Sequence, residues 1–164
     1  MKRFASLYVC LLFALCLLGG CAAPADVQIT CGDISLVVPA GSLELTDISS
    51  AQSPDFLYGK DTLIVMGLSE RKDSLREMTL EEYTALVIKG NGLDVTWEKL
   101  PNGCRFAYEA PVDEDTYTYV AMTCEGPENF WIVQCYCPKG TLSANLETIT
   151  EVLGSISTEF PAGN

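Results

Sequence analysis

Cysteines are the residues of this chain whose types and spacing could carry chemistry. Cys135-Tyr136-Cys137 sets two thiols two residues apart, on one face of a regular strand. With Cys104 and Cys124 on neighbouring strands, such a pair could close a four-thiolate zinc site. Structural zinc sites, however, take paired ligands from turns with at least two residues between them. A disulfide among Cys104, Cys124, Cys135 and Cys137, with or without Cys31, is a second reading. Burial as small apolar side chains is a third. A redox dithiol needs Cys-x-x-Cys at a helix start, which this sequence lacks. No metal or cofactor is therefore expected.

The chain has 22 acidic and 10 basic residues, a net charge of -12 and no histidine. Without histidine the commonest general base and the commonest zinc ligand are gone. So strong a negative charge repels nucleic acid phosphates and anionic headgroups, so no nucleic acid partner is expected. Asp113-Glu114-Asp115 offers oxygens to a hard cation but has no longer ligand loop, and reads as a solvated turn. Paired carboxylates could cleave a glycoside, yet nothing singles out a pair. Serine-nucleophile motifs and phosphate-binding glycine loops are missing.

Aromatic residues form the remaining candidate site. Tyr117, Tyr119 and Tyr136 fall on β-prone stretches, at positions that would share the face opposite Trp131 if the strands alternate. Exposed, they make a binding surface for a peptide, glycan or partner protein. Covered by a helix, they become core.

The elements that must position these residues are punctuated clearly. Val27 to Cys31 and Ile34 to Pro39 read as two short strands around Gly32-Asp33. The polar run Ser42 to Asp55 reads as an irregular excursion with one weak strand. Phe56 to Tyr58 and Thr62 to Leu68 read as a hairpin whose second arm is central. Thr79-Leu80-Glu81-Glu82 is a capping box starting a helix over 80–89, with Leu80, Tyr83, Leu86 and Val87 as its buried stripe. Four strands follow: Leu93 to Leu100, Cys104 to Tyr108, Thr116 to Cys124 and Phe130 to Cys137. A tight last turn pairs residue 123 with 130, so Val120, Met122, Trp131, Val133 and Cys135 share the core face. Thr141 or Ser143 caps a final helix with a stripe of Leu142, Leu146, Ile149, Val152, Leu153 and Ile156. That stripe needs a surface to lie on, and the meander supplies it. The expected fold class is α+β, an antiparallel sheet with two main helices packed on it.

The N-terminal stretch carries an address. Lys2 and Arg3 precede an apolar run from Leu7 to Leu18, which is followed by Gly19-Gly20-Cys21. The run has about 12 residues against the ~20 of a spanning helix. It has the layout of an export signal, and Leu18-Gly19-Gly20-Cys21 resembles the lipobox of bacterial lipoproteins. The resemblance implies cleavage before Cys21, a diacylglycerol on its thiol, and a place on the extracytoplasmic face of the cell membrane. Removing residues 1–20 takes two basic residues and no acidic one, leaving 144 residues at a net charge of -14. The expected organisation is a signal peptide over 1–20, a lipidated tether over 21–28 and one α+β domain over 29–160.

The order of elements also resembles PsbP-like domains, including DcrB-type lipoproteins. Leu36-Val37-Val38-Pro39, Leu80-Glu81-Glu82-Tyr83, Phe130-Trp131-Ile132-Val133 and Val152-Leu153-Gly154-Ser155-Ile156 carry the match. It implies a non-catalytic accessory or binding domain and transfers no functional residue. The expected function is thus a membrane-anchored binding module of the cell envelope with an envelope protein as partner. A carboxylate-using envelope hydrolase and a structural envelope component are the alternatives.

Overall fold

The computed structural model describes residues 25–46, 53–75 and 77–158. Cys21, the signal and most of the expected tether lie outside them. Nine strands and two helices follow in order: β1 (Val27–Cys31), β2 (Ile34–Val38), β3 (Leu43–Glu44), β4 (Phe56–Lys60), β5 (Leu63–Arg71), α1 (Leu80–Gly90), β6 (Trp97–Leu100), β7 (Gly103–Val112), β8 (Asp115–Glu125), β9 (Asn129–Pro138) and α2 (Leu142–Gly154). Strands β3 to β9 form one antiparallel sheet in the order β3-β4-β5-β9-β8-β7-β6. The expected α+β class, an antiparallel sheet with two main helices packed on it, is the fold observed.

The hairpin of β1 and β2 stands apart as its own two-stranded layer. Its inward residues Ile29, Ile34, Leu36 and Val38 join Val65, Met122, Trp131, Val133 and Cys135 of the sheet in the main core. Helix α2 closes the same core with Ile149, Val152 and Leu153, followed by Ile156. Its C-terminal end is sewn to the hairpin: Val37 N–H donates to the Ser155 hydroxyl (2.8 Å), and Ser35 and Ser157 exchange two backbone bonds of 2.8 Å. Helix α1 packs on the opposite face, over β7 and β8. There Tyr83 stacks on Phe130 with ring centroids 4.6 Å apart, and the Thr84 and Thr123 hydroxyls meet at 2.6 Å.

Several expectations are corrected. The last hairpin pairs Thr123 with Ile132, not with residue 130, because Gly126 N–H bonds to Asn129 O and leaves Pro127-Glu128 as the turn. The displacement is two residues, and side chains alternate with period two, so Val120, Met122, Trp131, Val133 and Cys135 still share a face. The strand expected from Leu93 begins only at Trp97; Leu93 and Val95 pack beneath α1 without ladder bonds. Helix α1 buries Tyr83, Thr84 and Ile88, while Leu86 is 45% exposed. The stripe is rotated because Thr84 satisfies its hydroxyl on Leu80 O and Thr123, so a polar residue can face the sheet. Thr141 precedes α2 but caps nothing: its hydroxyl donates to Pro138 O (2.9 Å). Strand β1 begins inside the stretch expected as tether, and Asp26 already accepts from Ala40 N–H (3.0 Å).

Candidate binding face

Strand register lines up tyrosines across the sheet. Tyr108, Tyr119 and Tyr136 are direct partners on β7, β8 and β9, and Ile64 extends the row onto β5. Neighbouring strands lie about 4.8 Å apart, close to the distance at which rings stack. Tyr108 and Tyr119 stack at 4.8 Å with planes 5° apart, and Tyr119 and Tyr136 at 4.8 Å and 21°. Phe106 continues the stack beyond Tyr108 at 6.2 Å, and Tyr117 meets Tyr136 edge-on at 6.2 Å. Tyr117, Tyr119 and Tyr136 therefore lie together on the face opposite Trp131. All four tyrosines are half-buried, and Tyr108 packs against the cluster of Phe106 and Ala121 that Ile88 of α1 joins.

Both flat sides of Tyr119 are occupied by its neighbours, so the row offers ring edges and phenol oxygens instead of open ring faces. Such a surface suits hydrogen bonding to a polypeptide better than stacking on a sugar. Gln134 donates to the Tyr108 oxygen at 3.2 Å. Burial, reinforced by Tyr119, pushes the Tyr108 phenol up to about 12; burial with Tyr119 and Tyr117 beside it does the same for Tyr136. Both phenols are neutral donors at physiological pH. Tyr108 is the member the sequence reading missed. Its signal was the Cys104-x-Phe106-x-Tyr108 alternation, which places it on the aromatic face once the β7–β8 turn is centred on Asp113-Glu114.

The cysteines are not a site. Cys31, Cys104, Cys124, Cys135 and Cys137 are all free thiols, four of them buried. The disulfide expected among Cys104, Cys124, Cys135 and Cys137 is not formed, for a reason of register. Cys104 pairs with Thr123 and so lies on the opposite face from Cys124, while Cys135 pairs with Val120 and Cys137 with Thr118. Burial pushes the Cys124 thiol up to about 12 and Cys135 up as well. Inert, protonated thiols packed as apolar groups follow from that environment. Among the described residues no cluster of three metal-ligating side chains occurs.

Acidic residues serve structure where their roles are defined. Asp33, at the β1–β2 turn, is only 9% exposed. Its carboxylate accepts from Trp131 Nε1 (2.6 Å), Asn129 Nδ2 (2.9 Å), Glu128 N–H (2.7 Å) and Asn129 N–H (3.0 Å). Burial alone would raise its pKa, but these four bonds outweigh burial and hold it below the ordinary range. Asp73, Glu81 and Glu82 are also shifted downward. The turn at Asp113 and Glu114 has Asp113 at φ 54° and is exposed.

No protein-family model matches the chain, and no curated protein matches it. Solved structures do. A crystal structure from Bacteroides thetaiotaomicron is similar at 12% identity and a TM-score of 0.57, covering 83% of this chain and 49% of that one. This chain thus spans about half the length of that protein. Cyanobacterial PsbP from Synechocystis is similar at 12% identity and a TM-score of 0.49, over 85% of this chain and 95% of that one. The Ran-binding protein Mog1p of Saccharomyces cerevisiae is similar at 11% identity and 0.49, over 83% and 96%. At these identities the likeness is one of fold.

Proposed function

We propose that the protein is a lipoprotein anchored at the extracytoplasmic face of the cell membrane, whose domain binds an envelope protein without catalysis. The observation that carries the binding role is the half-open row of Tyr108, Tyr119 and Tyr136 with Tyr117 beside it. Tyrosine is enriched at protein interfaces because one side chain supplies both apolar area and a hydrogen bond. The anchoring role is supported by the lipobox-like Leu18-Gly19-Gly20-Cys21. Among the described residues no helix is long and apolar enough to cross a membrane.

Each half has its own test. Cells carrying the Cys21→Ala variant should lose incorporation of labelled palmitate and release the protein from the membrane fraction; unchanged label would sink the anchor. A photo-crosslinking residue in place of Tyr117 should trap one reproducible envelope protein, and the same residue in place of exposed Leu146 on the far face should not. Equal trapping from both positions would remove the tyrosine row as the binding face.

A further inference from the structure

A cleft of about 440 Å³ runs beside α2 where the helix overhangs β6, β7 and β8. It lies on the other face of the sheet from the tyrosine row. Its walls are Val120, Leu142, Leu146 and Ile149, with Arg105 and Glu98 at one end and Thr118 at the other. That volume falls within the range of small-molecule sites.

Three features mark this cleft as unfinished packing. Leu146 belongs to the apolar stripe of α2 yet is 52% exposed, because the helix does not close on the strands at its level. Val120, on an interior strand and on the otherwise buried face, is only half-buried. Thr118 is 6% exposed, and its hydroxyl is the one buried side-chain polar atom among the described residues without a hydrogen-bond partner.

We propose that the cleft binds an elongated small molecule with an apolar body, a carboxylate at its head and a hydroxyl at its tail, the class of hydroxylated medium-chain fatty acids. Charge complementarity sets the head. Among the described residues Arg105 is the only cationic side chain lining the cleft, in a chain of net charge -12. It pairs with Glu98 across the β6–β7 ladder, and one carboxylate leaves several of its five donors for a second. Register sets the length. Thr118 pairs with Glu109, four residues along β7 from Arg105, which is about 13 Å at the rise of a strand. Val120 and Ile149 lie between and hold the apolar body. The Thr118 hydroxyl is itself buried, so a rotation about its χ1 to another staggered rotamer turns it toward a tail hydroxyl arriving at the far end and gives it the partner it lacks.

The test uses residues 21–164 with Cys21→Ala, which include every described residue, and calorimetric titration with ω-hydroxydecanoate, decanoate and decanol. The hydroxy acid should bind saturably at one site and decanol least well. Arg105→Gln should weaken both acids about tenfold. Thr118→Val should reduce the hydroxy acid to the level of decanoate while leaving decanoate unchanged, an outcome that general loss of structure would not give. Leu146→Glu, at an already exposed position, should set a carboxylate against the apolar body and abolish binding with an unchanged amide NMR spectrum elsewhere. Absence of saturable binding to the hydroxy acid overturns the proposal, as does binding that neither Arg105→Gln nor Thr118→Val alters.

Discussion

Asp33 shows how much one side chain can organise. It ties the β1–β2 hairpin to the β8–β9 turn and to the indole of Trp131, and Gly126 stands so close that an added Cβ would lie 2.5 Å from its Oδ2. Replacing Asp33 with Ala orphans four donors and should lower stability by about 3 kcal/mol, read from urea denaturation at pH 7. The pH dependence follows from the downward shift. Because the folded carboxyl has the lower pKa, its stabilisation is full above the unfolded value near 4 and is lost as pH falls through the folded value. The gap between wild type and Asp33→Asn should therefore narrow on going from pH 7 to pH 3. A gap that widens would contradict the assignment. The thiols give a second prediction at this scale: alkylation of the unfolded protein without reductant should add five adducts over residues 25–158, whereas in the native state Cys31 alone should react.

At the scale of elements, caps and turns were legible because their chemistry is local. The Thr79 capping box is present as read: Glu82 N–H donates to the Thr79 hydroxyl (3.2 Å), and Thr79 N–H donates to the Glu82 carboxylate (2.9 Å). Thr79→Ala should cost about 1 kcal/mol by thermal denaturation. What a helix buries was less legible, since Leu86 and Thr84 exchange roles according to what the sheet opposes to them. Close approach of strands was not legible at all. A Cβ on Gly103 would run into the Thr123 carbonyl, and one on Gly67 into the Phe56 ring. A backbone carbonyl in a ladder cannot turn aside, so Gly103→Ala should cost about 2–3 kcal/mol. An equally stable Gly103→Ala variant would show that the β7–β8 ladder can give way there.

At the scale of the whole molecule, the layers are hairpin with α2, sheet, and α1. Helix α1 covers only part of its face, and the tyrosine row occupies the rest. The net charge of -12 acts on this assembly as a whole. Self-repulsion destabilises the compact state and is screened by salt, so the melting temperature should rise between 10 and 150 mM sodium chloride by about 2–4 °C. No rise would mean that acids and bases are already matched in space.

Sequence alone determined the periodicities, the main turns and the parity of the strands. A two-residue error in register left the tyrosines and Trp131 on opposite faces, because the strand repeat is two. It also determined the polarity of the surface and the lipobox-like stretch, properties of composition and contiguous order. Only the tertiary structure decided that Tyr108 completes the row, that the thiols stay apart and that Thr118 is left without a partner. Each of these depends on which residues of distant segments come within a few ångströms, and that distance is set by strand order and helix seating.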